Sequence, residues 1–246
     1  AAVVSALAYA LSPALLSHIG AGHLDILYAL AWWPFLMLAV RRLGDKRQAA
    51  LLLALTAALV FLADVRVSLF ALLTAGVYAI FRLYLTKQLG RVLSLVLAGG
   101  LFLLLTAAVT VPLLAWSPYL SRTALTPADA GMLALQPGHF LGLLLFAVPP
   151  GVETLTYLGL PVLALAVVGL WTGRFRWLGL VVFMVIVLYA LGANAPLWPL
   201  LTRLVPGLLW FRVPGRVWLI AVLFAPLLAG FGWQRVMTLV ERLRAG

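Results

Sequence analysis

The stretch that decides the fold is Ala49–Thr86, AALLLALTAALVFLADVRVSLFALLTAGVYAIFRLYLT, in which only Asp64, Arg66 and Arg82 carry charge. As one helix it would run to roughly 55 Å at 1.5 Å per residue. The hydrocarbon core of a bilayer is only about 30 Å thick. The stretch therefore predicts two membrane spans, the first of them short, folded back on each other by a tight turn at Asp64-Val65-Arg66. Asp64 is expected to sit recessed near headgroup depth, since an ionised group deeper in hydrocarbon is costly.

Outward from this pair the pattern repeats. Apolar runs bounded by charge or by Gly and Pro fall at about 2–18, 24–40, 49–63, 67–86, 92–116, 155–171, 177–192 and 216–233, which gives eight candidate spans. Composition agrees: 65% of the 246 residues are apolar and 9% are charged, against about 25% charged in an ordinary soluble domain. The mean hydropathy is +1.16. The expected fold is all-α, a polytopic transmembrane helix bundle of about eight spanning helices in a single domain over 1–246. Cysteine is absent, which excludes disulfides, thiolate catalysis and Cys metal sites. The chain opens Ala-Ala-Val-Val, and is expected to be a fragment of a longer protein whose N-terminal part is missing.

Threading the spans alternately places Arg41, Arg42, Lys46, Arg47, Arg82, Lys87, Arg91, Arg174, Arg176, Arg235, Arg242 and Arg244 on one side, and Arg66, Arg122, Arg203, Arg212 and Arg216 on the other. By the positive-inside rule the richer side is cytoplasmic. That asymmetry accounts for the net charge of +11 without nucleic acid, for which no basic face interleaved with aromatics is present. The same threading puts Asp25, Asp64, Asp129, Glu153, His18, His23 and His139 outside. Two outer segments are longer than connections require. Segment 117–154 holds the apolar decapeptide Phe140–Pro149, too short to span and expected to lie in the interface or re-enter. Segment 193–215, with four Pro, Trp198 and Trp210, suits a helix at headgroup level.

Three places carry candidate chemistry. In Trp210-Phe-Arg-Val-Pro-Gly-Arg216, Pro214 suits the first turn of a helix. Arg216 then stands where the helix dipole disfavours a cation. An anion is needed: a phosphate held by Arg212 and Arg216, or alternatively lipid headgroups, Glu153 or Asp129. In His18-Ile-Gly-Ala-Gly-His-Leu-Asp25 the two His lie about 140° apart on a helix, so only a bent Gly loop would bring them onto one metal. Asp25 more plainly favours the N-terminus of the second span. Asp64 and Arg66, two residues apart, would point to different sides of any helix, so their partners are sought elsewhere: His23 or Asp25 for Arg66, Arg122 or Arg212 for Asp64. His23, Asp25, Asp64, Arg66 and Arg122 are expected to line one cavity. No nucleophile, base and orienting group share a readable arrangement, and no Gly-rich nucleotide loop is present.

Two stretches, Ala21-Gly-His-Leu-Asp-Ile-Leu-Tyr-Ala-Leu-Ala-Trp-Trp-Pro34 and Val205-Pro-Gly-Leu-Leu-Trp-Phe-Arg-Val-Pro-Gly-Arg216, together with Tyr157-Leu-Gly159 before an apolar helix, resemble the YfhO-like family of bacterial polytopic membrane proteins in the GT-C glycosyltransferase superfamily. The resemblance implies a protein of the bacterial cytoplasmic membrane, multi-pass. It implies transfer of a sugar from a polyprenyl-phosphate donor to a cell-envelope polymer or lipid acceptor on the extracytoplasmic face. The superfamily's usual catalytic carboxylate lies in the first outer loop, which on this reading precedes Ala1. Within this chain Asp25 and Asp64 are the candidate bases, and Arg66, Arg122, Arg212 and Arg216 the candidate phosphate holders. His18, His23, His139 and Glu153 are further outer-face polar groups, and no metal ligand set is assigned, although a divalent metal would also stabilise the departing phosphate. The alternatives are a lipid or solute transporter or flippase, and a non-catalytic membrane subunit.

The threading is checked by placing single cysteines at Asp45 and Asp129 in this Cys-free chain and labelling intact cells with an impermeant thiol reagent. Position 129 is expected to label and position 45 to stay protected; the opposite pattern would overturn the orientation.

Overall fold

The computed structural model describes residues 1–43, 48–87, 90–119, 126–146, 151–173, 176–196, 198–205, 208 and 212–245. Among these the regular elements are all helical. The α-helices in chain order are α1 (Ala2–Ala10), α2 (Pro13–Gly20), α3 (Leu24–Arg42), α4 (Gln48–Ala63), α5 (Val65–Thr86), α6 (Gly90–Trp116), α7 (Pro127–Ala130), α8 (Leu160–Trp171), α9 (Arg176–Ala190), α10 (Trp198–Leu204) and α11 (Trp218–Ala245). Short 3-10 turns fill the connections.

Five stretches are long and apolar enough to cross a membrane: Ala2–Gly20, Leu24–Arg42, Val65–Thr86, Val92–Tyr119 and Pro214–Ala245. The other three predicted spans form the shorter apolar helices α4, α8 and α9. The eight predicted runs are therefore all helical, with three corrections to their form. The first is broken rather than continuous, because Ser12 takes the N-cap of α2, accepting a hydrogen bond from the Leu15 amide, and Pro13 follows it in the first turn, where its missing N–H costs nothing. The sixth begins only at Leu160: residues 155–159 are irregular and Gly159 turns the chain with φ +91°. The eighth continues past 233 to Ala245 and carries Arg242 and Arg244 in its last turn, where the helix dipole favours cations. In the segments expected outside, the first residues of the apolar decapeptide end a 3-10 helix, Pro137–Leu143, and residues 147–150 lie outside the described ones. In the segment expected to hold a headgroup helix, the described residues form α10, seven residues long; Trp210 lies outside the described ones.

The chain divides into two compact units. One comprises residues 22–123, the other residues 1–21 with 124–246. In the 22–123 unit α4 packs against α3, α5 and α6. It does so through small side chains, with Ala49, Ala50, Ala54, Ala57 and Ala58 buried, the means by which helices approach closely without a hydrophobic driving force between them. Trp33 is fully buried and its indole donates to Thr74 Oγ1 at 3.2 Å, tying α3 to α5. Arg66, in the first turn of α5, reaches Asp25 at the start of α3, while Arg82 near the end of α5 donates to the carbonyl of Arg41 near the end of α3 at 3.0 Å. Thus α3 and α5 run in parallel and α4 returns between them, the alternation that the threading requires.

In the other unit α11 packs against α8 and α1. The helices meet at glycine: a Cβ on Gly232 would stand 1.9 Å from the Leu165 carbonyl oxygen, and one on Gly169 2.1 Å from that of Leu228. Gly230 is as tightly closed over by Ser5. Larger residues would force α8 and α1 off α11.

Candidate functional site

In the 22–123 unit the charge cluster forms where α4 turns into α5. Asp64 is the N-cap of α5, with extended backbone (φ −152°, ψ 112°). Its Oδ1 accepts from the amides of Arg66 at 2.7 Å and Val67 at 2.9 Å, pairing two of the N–H groups that a helix start leaves open. The Arg66 guanidinium folds back onto the same carboxylate, Nε lying 3.0 Å from Oδ2 and 3.2 Å from Oδ1, with Nη2 also bonded to Oδ2. Nη2 further donates to Asp25 Oδ2 at 2.5 Å. Asp25 lies in the first turn of α3, and its Oδ1 accepts from the Ile26 amide at 2.9 Å. One guanidinium thus joins two carboxylates of unlike exposure, since the Asp64 side chain is 1% exposed and that of Asp25 46%. Burial alone would raise the Asp64 carboxyl, but hydrogen bonds from Arg66 and from the Val67 and Arg66 amides, with the Arg66 charge, bring it below the ordinary carboxylate value. The pair Asp64 and Arg66 is a correction to the sequence reading. The helical geometry that would send them to different sides does not apply, because Asp64 stands outside the helix. The expected Arg66–Asp25 contact is present. His23 occupies the N-cap position of α3, two residues from Asp25, and Arg122 lies outside the described residues.

The second cluster, in the other unit, surrounds the start of α11. Val213 takes the left-handed conformation, φ 64°, which a β-branched residue enters only at a cost. Pro214 then opens the 3-10 turn Pro214–Val217 that feeds α11. Gly215 is required: a Cβ there would meet the carbonyl oxygens of Glu153 and Leu133, each at 2.9 Å. This close passage brings Arg216 to Glu153. Arg216 Nε lies 3.0 Å from both carboxylate oxygens and Nη2 also bonds Oε1. The two side chains are only 10% and 11% exposed. The anion that the first-turn cation needs is thus Glu153, one of the partners named from sequence. Arg212 is exposed and acts on Asp129. Hydrogen bonds from the Thr126 hydroxyl and amide, with the more distant Arg212 charge, hold the Asp129 carboxyl below its ordinary value.

The three histidines belong to different elements. His18 is buried in α2 and His23 stands at the N-cap of α3. His139 accepts the Gln136 amide on Nδ1 at 3.0 Å and, through its carbonyl, the Thr156 hydroxyl at 2.5 Å, so it shapes its own loop. Among the described residues no three His, Asp or Glu side chains come together that could hold a metal ion. The divalent metal that would suit the resemblance therefore finds no ready ligand set among them. Sequence reasoning missed Asn194, whose amide donates to the Leu135 carbonyl at 2.9 Å, and named Trp198 for the headgroup segment without its bond, in which the indole donates to the Pro127 carbonyl at 2.9 Å. The Thr126-Pro-Ala-Asp129 capping box was the one readable signal there.

No protein-family model, no curated protein and no solved structure matches this chain.

The Asp64 pairing makes stability depend on pH with a definite sign. Its carboxyl titrates lower folded than free, so its contribution is complete above the ordinary value of 3.8 and is lost as the pH falls through the folded value. Asp64→Asn should cost about 1–3 kcal/mol at neutral pH. It should also flatten the fall in unfolding midpoint as the pH drops below about 4, as read by circular dichroism in detergent. An unchanged slope would mean that the pair contributes nothing.

Proposed function

We propose that this chain is part of a membrane glycosyltransferase of the GT-C type, which moves a sugar from a polyprenyl-phosphate carrier to a cell-envelope polymer or lipid on the extracytoplasmic side of a bacterial cytoplasmic membrane. Asp25 is the base. The observation that carries this reading is its setting: a carboxylate half open to solvent at the end of apolar helices, held by a guanidinium that a buried carboxylate holds in turn. Base, orienting group and anchor are the parts that general base catalysis needs. The sequence resemblance supplies the reaction class.

In the reaction an acceptor hydroxyl gives its proton to Asp25 as its oxygen bonds to the sugar's anomeric carbon. The bond from that carbon to the carrier phosphate breaks, and the electron pair leaves with the polyprenyl phosphate. Arg66 touches Asp25 and is therefore a positioning residue, since an inverting displacement keeps base and leaving group on opposite faces of the sugar. Arg216 is committed to Glu153, where it fixes the start of α11. The leaving phosphate is left to Arg122, which belongs to the same 22–123 stretch as Asp25 and lies outside the described residues.

The test is transfer from a short-chain polyprenyl-phosphate sugar by the full-length protein in membranes. Asp25→Asn should lower kcat at least about a hundredfold while the protein keeps its thermal midpoint, and Asp25→Glu should restore part of the rate. Wild-type turnover by a folded Asp25→Asn protein would reject the assignment and leave Asp25 as a helix-start carboxylate paired with Arg66.

A further inference from the structure

At the opposite end of the 22–123 unit, α3 and α5 finish side by side in a group of cations. Arg41 and Arg42 occupy the last turn of α3 and are exposed. Arg82 comes across from α5 to donate from Nη2 to the Arg41 carbonyl, while its Nε is buried with no hydrogen-bond partner among the described residues. Lys87, exposed and in the left-handed conformation, ends α5. The described carboxylates of this unit are Asp25 and Asp64, both at its other end, and Asp45 lies outside the described residues. The last carbonyls of the two helices account for part of this positive charge through the helix dipoles, but they provide no full counter-charge. Leading away from the cations, both helices expose large apolar side chains: Phe35 and Leu38 on α3, Val77, Ile80 and Tyr84 on α5. Tyr84 is 77% exposed, and an exposed tyrosine beside a helix end suits the headgroup level of a bilayer.

We infer that this end of α3 and α5 is a binding site for an anionic phospholipid, with the phosphate set among Arg41, Arg42, Arg82 and Lys87 and the acyl chains along the apolar faces of α3 and α5. A free phosphate would satisfy the cations but leave those faces without their complement, whereas one amphiphile matches both. The headgroup also offers Arg82 a full counter-charge, which no described carboxylate at this end of the unit supplies. Arginine suits this role better than lysine, because its fork meets a phosphate through two N–H groups. The inference is independent of the glycosyl-transfer reading and concerns the other end of the unit.

The experiment places the full chain in phosphatidylcholine vesicles carrying a minor fraction of phosphatidylglycerol and compares the association of spin-labelled forms of the two lipids. The wild-type chain should prefer phosphatidylglycerol several-fold. Arg42→Gln and Arg82→Gln should each lower the preference by up to about fivefold, the worth of one cation near an anionic surface, and Arg82→Lys should recover part of it. Arg235→Gln, an exposed cation on α11 outside this group, should change it less than twofold. Equal association of the two lipids with the wild-type chain would overturn the inference whether or not the variants fold. So would an equal loss in Arg235→Gln, which would indicate general surface charge. Displacement of the lipid by inorganic phosphate, beyond the effect of chloride at the same ionic strength, would also overturn it in favour of a free anion.

Discussion

Ionised side chains at the margins of apolar helices have little water to solvate them, and each must find a counter-charge or hydrogen bonds within the protein. The turn between α4 and α5 meets that demand with one guanidinium. Arg66 answers the buried Asp64 and the half-exposed Asp25 together, and Asp64 in turn closes two open amides of α5. The turn can therefore be very tight: the residue that ends one helix also caps the next. Because Asp25 begins α3, the same contact aligns the starts of α3 and α5, and the parallel course of those helices brings Arg82 to Arg41 at their other ends. Charge pairing at one end thus sets the arrangement of cations at the other.

Much of this architecture was readable from the residues. The 3.6-residue helix and the thickness of a bilayer force Ala49–Thr86 to fold back, and Asp64 is where it does so. The break in the first span had its own signal in Ser12-Pro13, but the apolar run on both sides outweighed it, and a broken span is as apolar as a continuous one. The limits of the sixth and eighth spans were not legible for a related reason. Hydropathy records how apolar a segment is, whereas the start of α8 depends on the backbone at Gly159, and the last turns of α11 are helical although polar.

The site was legible residue by residue but not pair by pair. Arg66 with Asp25, and Arg216 with Glu153, were both among the partners that unpaired charges would seek, since few carboxylates were on offer. Asp64 with Arg66 was not, because helix geometry does not hold for Asp64, which stands outside the helix as its N-cap. The close passage of Gly215 past Glu153 and Leu133 joins positions far apart in sequence, and nothing local in Val213-Pro-Gly215 announces it. The result separates two arginines that the motif made look alike. Arg216 is enclosed with a carboxylate, while Arg212 stays at the surface.

The central claim is that Asp64 and Arg66 form a single energetic unit rather than two neighbouring charges. A double-mutant cycle measures this most directly, with Asp64→Asn, Arg66→Gln and the double variant compared by reversible unfolding in detergent at neutral pH. The double variant should cost less than the sum of the singles by about 1.5–3 kcal/mol, the worth of hydrogen bonds between charged groups. Costs that add to within about 0.5 kcal/mol would show that the two residues act independently, and would contradict the claim.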